Sequence, residues 1–213
     1  MKESNFDFST SRLLLAPALI TLAITLLRLV GELNHWSPAL FNREPGGGGA
    51  LIGIVWLVPI LGVYFALRLR KAGRGPSSRG RAIAHALAAV ALFAILMAVA
   101  IRVVPTMIGR LALINLAAAL AAWVACRGWP ALGRTEFAYA LAARIPVAVV
   151  MLIAMAANWG THYEGAPPGF PEMALLPKWL LIGLLPQLVF WVGFTVVVGC
   201  LFGGLTLLFQ RNR

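Results

Sequence analysis

The segment ALIGIVWLVPILGVYFALRLRKAGRGPSSRGRAIAHALAAVALFAILMAVAIRVV, Ala50 to Val104, consists of two long apolar runs joined by a short stretch crowded with arginine. A helix that crosses a bilayer needs roughly 20 mainly apolar residues, and each run supplies that length. The join carries Arg68, Arg70, Lys71, Arg74, Arg79 and Arg81. Basic residues concentrate in the short cytoplasmic loops of membrane proteins, so this join reads as a cytoplasmic loop over 70–81.

Working outward, the same pattern recurs. Apolar segments over 11–33, 50–69, 82–104, 111–126, 137–158 and 178–209 are each a spanning candidate. The expected fold is an all-α integral membrane protein, a single bundle of about six transmembrane helices. The fourth segment is short and borrows Arg110 as a snorkelling end. The sixth is long: Trp179 to Phe209 runs 31 residues without a charge, which makes about 46 Å of straight helix against a hydrocarbon core of about 30 Å. Pro186 is the expected kink that absorbs the excess.

With 61% hydrophobic and 12% charged residues, and a mean hydropathy of +0.86, the chain lies outside the range of soluble domains. The net charge of +11 belongs to gaps between apolar runs, which relates it to membrane orientation and argues against nucleic acid as a partner. Six spans with 70–81 inside place both termini in the cytoplasm. Lys2, Arg12, Arg127, Arg134, Arg211 and Arg213 then join the inner face, with Glu3, Asp7 and Glu136. The outer loops are 34–49 and 159–177, and the expected location is the inner (plasma) membrane. Lys2 and Arg12 before LLLAPALITLAITLL imitate a signal peptide, but no A-x-A-like cleavage site follows, so the first helix reads as a retained anchor.

Chemistry-bearing residues are few. In RLVGELNHW, Arg28 and Glu32 stand four apart and Glu32 and His35 three apart, one helical face at the outer end of the first span. The expected arrangement is an Arg28–Glu32 ion pair with a solvated His35. The loop NWGTHYEGAPPGFPEM adds His162 and Glu164. If the two outer loops meet, His35, His162, Glu32 and Glu164 have the donor types of a divalent-metal site, or of an acid–base pair. The simpler expectation is an aromatic belt of Trp36, Trp159, Tyr163 and Trp179 at headgroup level. No cofactor is expected from motifs: Cys126 and Cys200 lack CxxC spacing, and no nucleophile elbow, HExxH or P-loop is present.

Within the spans, Arg144 lies about 10 Å from an inner end at Phe137, using 1.5 Å per residue, and is expected to snorkel toward the cytoplasm. The functional alternative has it facing the bundle and binding an anion. Asn115 and Gln187 read as interhelical hydrogen-bonding groups, and His85 as interfacial. No acidic residue is expected at mid-membrane, which disfavours a carboxylate proton relay. Alanine-dense third and fourth helices and Gly199-x-x-x-Gly203 signal close helix packing, within the bundle, in a homo-oligomer, or with a partner subunit.

These features favour a non-enzymatic membrane protein. Transport of a small or anionic solute leads, with Arg144, Arg28, Glu32, His35, His162 and Glu164 as the binding candidates. The alternatives are an accessory subunit of a membrane complex and an enzyme or metal-binding protein with an outer His/Glu site.

Overall fold

The computed structural model describes residues 10–209, so Lys2, Glu3, Asp7, Arg211 and Arg213 lie outside the described residues. All regular structure in the described residues is helical. The helices are α1 (Thr10–Leu33), α2 (Leu57–Lys71), α3 (Arg79–Arg102), α4 (Met107–Gly128), α5 (Pro130–Ala157) and α6 (Leu175–Leu208). Five of them, all but α2, are long and apolar enough to cross a membrane.

Helix α2 departs from the expected 50–69. Its 15 residues span about 22 Å, short of a hydrocarbon core of about 30 Å. Pro59, which has no N–H to donate, sits in the first turn, where that N–H would have no partner within the helix. Residues 50–56 form bends and a turn instead, with Leu51 N–H donating to Ala39 O and Ile52 N–H to Leu40 O. Irregular backbone at membrane depth persists where it is covered by protein or lines a cavity, and this segment does line one.

The join between α4 and α5 also differs from expectation. The charges Arg127, Arg134 and Glu136 suggested a loop over 127–136, yet only Trp129 separates α4 from α5. Pro130 at the first helical position sets φ for the new helix. Trp129 anchors the corner by donating its indole N–H to Arg74 O at 2.9 Å. Starting seven residues early splits the two charges: Arg134 faces out, and Glu136 turns inward to complete burial. Glu136 thus lies inside α5, about 9 Å from its start, rather than in the expected loop.

Cap residues set other boundaries. Ser78 Oγ accepts from Arg81 N–H to open α3, and Thr106 Oγ1 accepts from Gly109 N–H to open α4. Alanine makes the α3–α4 contact close: Ala82, Ala86 and Ala89 of α3 and Ala121 and Ala125 of α4 are all buried.

Helix α6 runs through the middle, against α2, α3, α4 and α5. Its excess length is taken up by two π-helical stretches, Trp179–Leu184 and Pro186–Trp191, rather than by a simple kink. The wider π coil accommodates a proline whose ring would collide with an α-helical carbonyl one turn back. The glycines of the Gly199/Gly203 pair are consumed inside the subunit. A side chain at Gly199 would strike the Glu136 carboxyl, and one at Gly203 would lie 2.9 Å from Gly62 O.

Helix α1 sits at the periphery, packed on α5 and scarcely touching α2. Thr21 and Tyr139 hydroxyls join the two helices at 2.7 Å. Beside α1, where the irregular segment of 45–56 takes the place that a longer α2 would fill, lies the cavity.

Candidate binding cavity

A cavity of about 550 Å³ opens among α1, the turns of 45–56, α5, the loop after α5 and the π-helical part of α6. Its mouth is built from Arg28, Gly47 and His162, and its interior from Arg144, Gln187 and Trp191.

The mouth is a closed network centred on Glu32, whose side chain is fully buried. Arg28 Nε donates to Glu32 Oε1 at 2.8 Å, so the expected ion pair forms. Arg28 Nη2 donates to both Asn42 O at 3.2 Å and Gly47 O at 2.9 Å. His162 reaches the same carboxylate twice, by its backbone N–H to Oε2 at 3.0 Å and by Nδ1 to Oε1 at 2.6 Å. A carboxylate only accepts, which puts the imidazole proton on Nδ1. Burial holds the His162 pKa below its ordinary value of 6.5, with the Glu32 hydrogen bond pulling the other way and the Arg28 charge adding to the depression. The two long loops therefore meet. Gly47 makes the contact workable: its φ is +61°, and a Cβ there would lie 2.6 Å from the His162 ring.

Two of the candidate residues do not join this network. Glu164 turns back into its own loop, accepting from Trp159 N–H at 2.8 Å and from Gly160 N–H. His35 is exposed in a left-handed turn (φ 53°) just past α1 and borders a separate shallow hollow with Trp36 and Arg43. The four-residue donor set is consequently not assembled, and no cluster of three or more His, Cys, Asp or Glu occurs among the described residues.

The aromatic belt is also only partly realised. Trp36 is exposed. Tyr163 is buried, its hydroxyl donating to Thr25 O at 3.3 Å, and burial pushes its phenol above the ordinary range. Trp179 donates its indole N–H to Ala148 O at 2.9 Å. These rings hold the loop and α6 against α5.

Arg144 corrects the snorkelling expectation. Because α5 begins at Pro130, Arg144 lies about 20 Å from either helix end, beyond the reach of its side chain. It turns inward and is 4% exposed. Its guanidinium lies 4.6 Å from the Trp191 ring centroid, and Nη1 donates to Gln187 Oε1 at 3.5 Å. Nε has no hydrogen-bond partner, and among the described residues no acidic group pairs with it. The π-helical turn of α6 is what aims Gln187 and Trp191 at it. Sequence reasoning missed Trp191 as a site residue, since the only signal available was Pro186 beside Gln187. No protein-family model, curated protein or solved structure matches the chain.

Proposed function

We propose that this is a multi-pass inner-membrane protein that admits an anionic solute through the cavity and transports it, with Arg144 as the binding group. The single observation that carries the reading is an arginine at the middle of a span, opening into a cavity with no carboxylate to neutralise it. Charged side chains inside membrane bundles pair with one another or mark a solute pathway. Arg28 illustrates the first case and Arg144 fits the second. The arginine-rich join between α2 and α3 supports an orientation in which that end is cytoplasmic and the cavity mouth faces the opposite side.

The test is anion flux into proteoliposomes, using chloride, inorganic phosphate, acetate and octanoate as probes. Wild-type protein should carry at least one of them, and Arg144→Ala, reconstituted in equal amount, should lose that flux. Equal flux in the variant would remove Arg144 from the pathway. Binding without flux in the wild type would leave an anion-binding protein and sink transport.

A further inference from the structure

The charge inventory and the walls of the cavity narrow the ligand further, an inference that rests on the anion-binding reading above. Arg28, Arg144 and His162 are the basic side chains that line it, and no acidic side chain lines it. The charge of Arg28 is matched by Glu32. His162 donates to the same carboxylate, and its depressed pKa leaves it neutral near pH 7. One positive charge remains, on the buried Arg144 side chain, whose Nε is unpartnered. Beside it, Gln187 accepts from Arg144 through Oε1, while its amide nitrogen makes only a weak contact, Nε2 to Met151 Sδ at 3.5 Å, and can turn its N–H toward a ligand.

Everything between this polar end and the mouth is largely apolar. Ile24 of α1, Ile54 of the irregular segment, Val147 and Met151 of α5, and Ile182 and Trp191 of α6 form the walls. A volume of about 550 Å³ falls within the roughly 300–1,000 Å³ of pockets that enclose whole organic ligands. A small inorganic anion would leave such walls wet, and a phosphate dianion would bring a second charge with no cation to meet it.

We propose that the cavity binds an organic monocarboxylate with an apolar body, its carboxylate on Arg144 and Gln187 and its hydrocarbon or aromatic part along Ile24, Ile54 and Val147. The planar guanidinium fork matches a carboxylate, and Trp191 stacked on its face holds it for that contact.

Calorimetric titration of the full-length protein in nanodiscs tests this, with octanoate, acetate, inorganic phosphate and 1-octanol as probes and empty nanodiscs subtracted. Oleate incorporated in the nanodisc lipid, read by competition with octanoate, distinguishes a bilayer source from an aqueous one. Octanoate is expected to bind at least about tenfold tighter than the other three water-borne probes, a margin of about 1.4 kcal/mol. Arg144→Gln should erase that margin. Ile54→Trp, which fills the apolar part and leaves Arg144 in place, should weaken octanoate and decides the matter if Arg144→Gln fails to fold. Arg144-dependent binding of phosphate or acetate as tight as that of octanoate would overturn the monocarboxylate and keep the anion site. No Arg144-dependent binding of any probe would overturn both, and unchanged octanoate affinity in Ile54→Trp would overturn the apolar-body assignment.

Discussion

Glu32, at the end of α1, accepts two hydrogen bonds from His162, a residue 130 positions later in the chain, at 3.0 Å from its backbone N–H and 2.6 Å from its imidazole. With Arg28 on the same carboxylate, this contact ties the peripheral helix α1 to the loop after α5 and sets the rim of the cavity.

Glu32→Gln should loosen that rim. The substitution leaves the Arg28 cation without its counter-charge and removes an acceptor from His162, and breaking one partner of a buried pair costs about 3 kcal/mol or more. A lower melting temperature and faster proteolytic cleavage within residues 158–174 are the expected results. A variant as stable and as protease-resistant as the wild type would show that the network does not hold the loop.

The pH dependence has a definite sign. The folded His162 pKa lies below its unfolded value of 6.5, so the unfolded chain binds the proton more readily. The contribution of His162 to stability is therefore full above about pH 6.5 and declines as pH falls through the folded pKa. The difference in melting temperature between wild type and His162→Asn should shrink below that pH. A difference that grows on acidification would mean that the imidazole is held as the cation.

Arg144→Met separates stability from function. A charged side chain at the centre of a span costs about 2.5–3.5 kcal/mol on insertion scales, and here no acidic partner offsets it. The variant should melt at or above the wild-type temperature while losing anion binding, the pattern of a site kept at the expense of stability. A strongly destabilised Arg144→Met would indicate a structural role through Trp191 and Gln187.

Helix packing is tested by two glycines of α6. At Gly199 a Cβ meets the buried Glu136 carboxyl, whereas at Gly204 nothing lies within 4 Å. Gly199→Ala should cost about 1–3 kcal/mol by overpacking, and Gly204→Ala should be neutral or gain up to about 1 kcal/mol in helix propensity. Thermal melts of the two variants side by side would show the contrast, and equal effects would mean that Glu136 has room to move.

Most spans were legible because lipid solvation demands long apolar runs, which composition displays directly. Boundaries were misread where local chemistry outweighed hydropathy. Residues 50–56 are apolar enough for a span but end up in bends and a turn, with Pro59 in the first turn of α2. Residues 130–136 carry charge but are helical because Pro130 opens α5 directly after Trp129. That one early start moved Arg144 to mid-helix and took Glu136 out of the loop.

The sequence by itself determined the apolar helices, the basic join between α2 and α3, and the i to i+4 pairing of Arg28 with Glu32, since each depends on residues near one another in the chain. Only the tertiary structure decided which distant groups share an environment. His162 meets Glu32 while Glu164 and His35 do not. Arg144 faces Trp191 and a cavity rather than the membrane edge, and NWGTHYEGAPPGFPEM becomes a rim rather than a belt. The reason is rotational: a shift of a few residues in a helix start, or a π turn in α6, changes which face a side chain presents, and hydropathy averages over all faces.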